Sequence, residues 1–324
     1  MEGQGWSAKA GAALALIFAC ALLSLPASAA TTLTVGKASA TSDALVPVDI
    51  GYELGIFQKH GLDLKIVNFT GGSKMDQAMA AGNLDISAGD GTEMAFIAKG
   101  LPMRAVCMVS GPPSFLGIGV PWDSPITSVE QLKGKNIGIS SPGSFTEWLA
   151  RELARNKGWG PDGVTPVAIG NGAASIIAAF RQHLVDADVG GVATFLTMEE
   201  SKVGRLLVPV SDYEGSIASG TLSASDRLIQ SDPGTIRTFL TAWLETIRYI
   251  RANKAETVKI KSRVTQLPEN VVSKVYDLTI GMFTSDCKFD PGALATLRRG
   301  FVELKFLDAP PDMSKLYTEA FLPH

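Results

Sequence analysis

The sequence predicts an α/β fold of two lobes, each a mostly parallel sheet flanked by helices. Three observations carry this. Between Val35 and Gly100, short apolar strands alternate with helical patterns, and parallel neighbours require such crossovers. The same alternation returns between Asn136 and Glu200. A 30-residue leader would leave 294 of the 324 residues, enough for two separate cores.

The first βα unit is legible residue by residue. An apolar strand ends near Lys37, and a small polar loop, Ala38 to Ala44, follows. Pro47 suits a first helical turn, where its missing N–H costs nothing. Ile50, Leu54 and Phe57 make one apolar stripe at helical spacing. Gly61 fits a left-handed helix stop, and Leu62 to Ile66 alternates as a strand. The second unit opens with the turn Thr70-Gly71-Gly72-Ser73, Ser73 being the expected N-cap. Met75, Met79 and Ala80 share a helix face, and Leu84 to Ala88 is a strand. Gly89-Asp90-Gly91-Thr92 then opens a helix from Glu93 to Lys99. In parallel sheets, ligands bind at the carboxyl ends of strands, in these turns.

Met103 to Val109 reads as an apolar strand, and Leu116 to Val120 as a strand crossing between lobes. Trp122 to Thr127 is a connector, and Asn136 to Ser140 a strand. The turn Ser140-Ser141-Pro142-Gly143-Ser144 opens a helix through Leu153. Ser144 is expected to cap it, with Glu147 completing a capping box, while Ser141 and unpaired N–H groups remain available. Val164 to Ile169 is a strand. The turn Gly170-Asn171-Gly172-Ala173-Ala174-Ser175 after it lacks the third glycine of a dinucleotide fingerprint. A strand over 186–191 and a helix over Val192–Glu200 follow, with Phe195 assigned to the core. Segments 206–210 and 216–223 read as strands returning to the first lobe. The remainder reads as helices from Asp232, over 270–280, over 291–304 and at 317–322.

At the N-terminus, Lys9, a 15-residue apolar run and Ala27-Ser28-Ala29 form a Sec-type leader cut near Ala29 or Ala30. The expected location is periplasmic where the host has two membranes. Net charge is −3, so no basic footprint for nucleic acid exists. Beyond the leader, Cys107 and Cys287 remain. They either pair or stay free. Cys107 in an apolar strand and Cys287 in a polar loop favour free thiols, since spacing does not bring the two together. His60, His183 and His324 form no ligand-spaced cluster with them, so no metal is expected. No nucleophile elbow and no phosphate loop occurs, so no cofactor is expected either.

Three segments carry a family resemblance. Gly51 to Leu64, GYELGIFQKHGLDL, resembles a signature of the solute-binding proteins of ABC importers for sulfonates, taurine, nitrate and thiamine precursors. Ala78 to Ile86, AMAAGNLDI, and Ser128 to Gly138, SVEQLKGKNIG, resemble two further segments of that family, in the same order. The resemblance implies the type II periplasmic binding protein fold with a ligand cleft between lobes. It divides the chain into a leader (1–30), lobe 1 (31–118), lobe 2 (119–214) and a return to lobe 1 with C-terminal helices (215–324). It implies a monomer that binds a small solute and hands it to membrane permease subunits, not an enzyme. The expected ligand contacts are Thr41, Asp43, Gly72, Ser73, Gly91 and Thr92 from the first lobe, and Ser141, Ser144 and Asn171 from the second. Helix N-termini favour an anion, but no arginine lies in these turns, and Asp43 and Asp90 oppose a bare dianion, so a zwitterion or neutral heterocycle stays open. Two alternatives remain: an exported enzyme on this fold acting on a sulfur compound or heterocycle, as a cysteine-dependent desulfinase does, and a ligand-sensing subunit.

Overall fold

A computed structural model describes residues 30–69, 71–160, 162–215 and 217–323. Residues 1–29 of the expected leader, and Thr70 and Ser216 of two expected segments, lie outside the described residues. The first lobe opens with β1 (Thr31–Lys37), α1 (Pro47–Glu53), α2 (Ile56–Lys59), β2 (Leu62–Asn68), α3 (Gly72–Ala80), β3 (Ile86–Gly89), α4 (Glu93–Ala98) and β4 (Met103–Ser110). The second holds β5 (Leu116–Pro121), β6 (Asn136–Ile139), α5 (Phe145–Asn156), β7 (Thr165–Ala168), α6 (Ala173–Arg181), β8 (Ala187–Gly191), α7 (Val192–Glu200) and β9 (Gly204–Pro209). The chain returns through β10 (Gly220–Ser225), α8 (Asp226–Ser231), α9 (Pro233–Ala252), α10 (Lys254–Thr265), α11 (Glu269–Thr279) and α12 (Pro291–Glu303).

The two sheets have matching strand orders, β2-β1-β3-β10-β4 and β7-β6-β8-β5-β9. In each, four strands share a direction and one runs against both neighbours: β10 in the first, β5 in the second. The two segments that join the lobes touch each other. Ser219 N–H donates to the Ser110 carbonyl at 3.2 Å. The hydroxyls of Ser110 and Ser219 lie 3.1 Å apart, and Ser219 Oγ also donates to the Gly111 carbonyl at 2.9 Å.

Local structure departs from the sequence reading where a short-range signal meets a longer-range demand. Ile50 and Phe57 are buried, but they sit on two helices, because Gly55 takes φ +68° between them. Phe57 stacks on Phe239 of α9 at 5.2 Å, and burying such a ring contributes about 1.5–3 kcal/mol. Ser73 does not cap α3; Gly71 holds the N-cap position without a side chain. Ser144 does cap α5, accepting from Glu147 N–H at 3.2 Å. Glu147 reaches Gly143 N–H at 2.7 Å instead of closing the box on Ser144, while Arg151 holds its other oxygen. Segment 206–210 falls mostly within β9, which stays in the second sheet beside β5. Residues 317–322 form no helix. Tyr317 bridges Ala105 on β4, and Thr318 N–H donates to the Ala105 carbonyl at 2.9 Å.

The cysteines are paired, contrary to the sequence expectation. The loop after α11 returns along β4, with Met108 N–H donating to the Cys287 carbonyl at 3.0 Å, and this brings the Cα atoms of Cys107 and Cys287 to 4.5 Å. The bond closes a separation of 180 residues and is fully buried. The Cys107→Ala/Cys287→Ala chain should lose about 2–4 kcal/mol of stability, read by urea unfolding against the oxidised protein. An unchanged midpoint would show that this link does not constrain the unfolded chain.

The second lobe buries one acid without a partner. Asp188 on β8 is 1% exposed, neither carboxylate oxygen has a hydrogen bond, and it sits against Gly138 and Gly190, with the Phe195 ring also beside Gly190. Burial pushes its carboxyl from 3.8 up to about 8. The folded chain therefore holds a proton there that the unfolded chain releases above pH 4. Stability from this group is complete below the unfolded value and is lost as pH rises towards 8. Asp188→Asn should leave stability near pH 4 almost unchanged and raise it by about 5 kcal/mol at pH 8. Parallel pH profiles of the two proteins would contradict this.

Candidate functional site

The strand-end turns of the first lobe are crowded with charge. Lys37, the last residue of β1, is fully buried, pairs with Asp49 and donates to the Ala40 carbonyl at 3.3 Å. Burial raises the Asp49 carboxyl against the pull of Lys37. Thr41 stays exposed on the loop. Asp43 does not offer a free carboxylate: it is buried in an ion pair with Lys261 of α10. A small cavity lined by Pro47, Thr257 and Tyr276 adjoins this pair. The sequence reading did not find α10, whose run KAETVKIKSRVT is mostly polar, and so missed the cation 218 positions along the chain that takes up Asp43.

The β2–α3 turn leans on the first loop, Gly71 N–H donating to the Ala38 carbonyl at 3.0 Å. Gly72 is half-buried and Ser73 exposed. In the next turn Gly91 takes φ +89°, and a Cβ there would lie 2.1 Å from the Ala218 carbonyl oxygen on the returning segment, so only glycine fits. Thr92 donates to Asp90 at 2.7 Å. Glu93 is 1% exposed, accepts from Thr221 of β10 and lies over Gly89, where a Cβ would come within 2.5 Å of its carboxyl. Asp76, one turn into α3, is 7% exposed, and its Oδ1 has no hydrogen-bond partner.

Asp76, Asp90 and Glu93 act on one another. Burial first, then Asp90 and Asp76, push Glu93 up to about 8. Burial, then Asp90, pushes Asp76 up to about 7. The sequence reading noted Asp90 but neither partner. The available signal was Asp76 itself, an acid between Met75 and Met79 on the face that packs inward.

In the second lobe, Ser144 is engaged in its cap and lies 2.9 Å from the Thr146 hydroxyl, while Ser141 and Asn171 are exposed. Helix α12 runs between the lobes' turns. Leu297 lies against Gly91, Gly300 against the Trp148 indole, and the Leu304 carbonyl just beyond the helix near Gly143. The structure thus brings Gly91 to the middle of α12 and Gly143 to its C-terminal end. Among the described residues it gives Thr41, Ser73 and Asn171 no shared contact. Charges join α12 to α5: Arg299 pairs with Glu152 at 2.6 Å, Arg155 with Glu303 at 2.8 Å, and Trp148 Nε1 donates to Glu303 at 2.8 Å. A groove of about 380 Å³ lies elsewhere, between α2 and α9, and is lined by none of the nine expected contacts. Among the described residues no cluster of His, Cys, Asp and Glu is arranged to hold a metal ion. The Asp43–Lys261 pair should be structural. Lys261→Met, which strands Asp43 in the interior, should cost about 3–5 kcal/mol, and Asp43→Asn/Lys261→Met should recover part of it. A single variant as stable as the parent in urea would refute the pair.

The NMT1/THI5-like family profile matches residues 45–257, well over half of the chain. A 4-amino-5-hydroxymethyl-2-methylpyrimidine phosphate synthase of Saccharomyces cerevisiae is 25% identical over 300 residues, covering 86% of this chain and 84% of that one. A putative aliphatic sulfonates-binding protein of Bacillus subtilis is 23% identical over 244 residues, covering 75% and 72%. Among solved structures, the periplasmic aliphatic sulphonate binding protein SsuA of Escherichia coli superposes with a TM-score of 0.73 at 19% identity, over 89% of this chain and 92% of that one. That likeness is one of fold: two sheets of matching order joined by paired crossings. The expected type II periplasmic binding protein architecture is therefore present, and the chain belongs to the NMT1/THI5-like family.

Proposed function

We propose that the chain is an extracytoplasmic solute-binding protein that closes two lobes on a small organic solute and delivers it to the permease of an ABC importer. The observation that carries this is the pair of sheets of matching strand order, linked by two adjacent crossing segments that are stitched at Ser110 and Ser219. Short paired crossings suit a hinge motion, and a solute touching both lobes favours the closed form. Gly91, which lies against α12, and its neighbour Thr92 would act from one lobe, and Ser141 and Ser144, which flank Gly143 near the end of that helix, from the other. Thr41, Gly72, Ser73 and Asn171 offer further donors at their strand ends. Asp43, held by Lys261, is a positioning residue for its loop and not a ligand acceptor. Export by the N-terminal leader, a periplasmic location and a monomeric state complete this reading. No described helix is long and apolar enough to cross a membrane.

A second reading, an enzyme, is favoured by the yeast synthases, which match 86% of the chain. A cysteine-dependent route finds no free thiol among the described residues, since Cys107 and Cys287 are bonded to each other.

The test is a thermal-shift panel of alkanesulfonates, taurine, nitrate, aromatic carboxylates, aminopyrimidines and amino acids, with mass spectrometry of every hit. A ligand at 100 times its Kd should add about 2.7 kcal/mol and emerge chemically unchanged. Conversion of a hit by the protein alone would refute the transport reading and establish the enzymatic one.

A further inference from the structure

The first lobe buries carboxyls that the chain itself does not neutralise. Among the described residues, the charged groups that shift Asp76 and Glu93 are other carboxylates. Bound protons remove the charge but do not complete the hydrogen bonding. Glu93 has Thr221, and Asp90 has Thr92. Asp76, more than nine-tenths buried, leaves Oδ1 with nothing to accept from or donate to. An unsatisfied buried polar atom is costly, and a water or a bound group that hydrogen-bonds to it relieves the cost. Asp90 and Thr92 are half-buried, so the cluster borders the surface of the turn and is not sealed in the core.

A metal ion is a poor match, since these oxygens do not converge as ligands. A nitrogen carrying both a positive charge and N–H donors supplies what is missing. One N–H would satisfy Asp76 Oδ1, and the charge would offset the carboxylates. We propose that Asp76, Asp90 and Glu93 form a subsite for a cationic nitrogen, so that the solute bears an ammonium, an amidinium or a protonated amino-heterocycle. This rests on the solute-binding reading and names the chemistry of its ligand. It disfavours a plain alkanesulfonate, which would bring a second negative group to an acidic turn.

The experiment is calorimetry at pH 7 on the purified chain with matched probes. Taurine is compared with ethanesulfonate, and a 4-aminopyrimidine with the corresponding pyrimidin-4-one. The amine-bearing member of at least one pair should bind tenfold or more tightly than its partner. Asp76→Asn and Glu93→Gln, which keep shape and remove the acid, should weaken that binding at least tenfold. Their melting temperatures should be no lower than the parent's, separating lost binding from lost folding. Equal affinity within both pairs, or unchanged amine binding in both variants, overturns the proposal. So does silence of both amine-bearing probes. Binding of ethanesulfonate alone would then leave the solute-binding reading intact, whereas silence of all four probes and of the wider panel would sink both.

Discussion

The first lobe depends on one antiparallel insertion. Strand β10 enters between β3 and β4, pairs with both, and is buried at all six residues. Without it, β4 would have no partner in the sheet, and the parallel trio β2-β1-β3 would expose an unpaired edge. The insertion also sets what lies at the strand ends. Ser219, one residue before the strand, ties the two crossings together. Ala218 presses its carbonyl on Gly91, and Thr221 reaches Glu93. A strand that completes the sheet therefore also shapes the acidic turn, so a change in its register would move both.

Beyond the crossings, the lobes meet in two chemically different places. Helix α11 meets α7 through Val271 and Val275 packed on Val192 and Leu196, an apolar contact. Helix α12 meets α5 through Arg299, Glu303, Glu152 and Arg155. Phe306, just beyond α12, meets Phe96 on the first lobe with tilted rings 6.0 Å apart, so this helix is anchored there and reaches the second lobe by charge. Apolar packing resists separation in proportion to buried area, while half-exposed ion pairs exchange readily for water. The α11–α7 contact is therefore the more resistant to separation, and the α12–α5 contact the more easily exchanged for water. Glu152 is the exception at 4% exposure, and its two arginines make it the charge that most favours contact.

What the sequence disclosed and what it withheld follow from the range of the forces. Pro47 at a first turn, the helix start at Asp232 and the left-handed Gly61 are local, and each is found in place. The strand-end turns were legible for the same reason. The partner of Asp43 was not, because Lys261 sits on a helix whose polar sequence gives little periodicity. The disulfide joins residues 180 apart, which no spacing rule relates. Ser73 looked like a cap, but Gly71 and Gly72 let the helix begin earlier and left its hydroxyl outside. The acids at 76 and 93 carried a readable anomaly, charge on a buried face, whose meaning depended on Thr221 arriving from the far end of the chain.

That anomaly occurs in both lobes, and the comparison between them decides its significance. Asp188 shares with Asp76 and Glu93 a carboxyl raised by burial. Its surroundings, however, are two glycines, one of them beside the Phe195 ring, with no charged neighbour acting on it and 1% of its surface open. It can only keep its proton, and the cost falls on stability. The first-lobe acids touch a half-exposed turn through Asp90 and are joined to one another by repulsion. Repulsion between neighbours is relieved by one incoming cation in a way that isolated burial is not, because a single charge lowers every pairwise energy at once. Burial alone therefore marks Asp188 as a structural acid, whereas the proposed cationic nitrogen would relieve Asp76, Asp90 and Glu93 together.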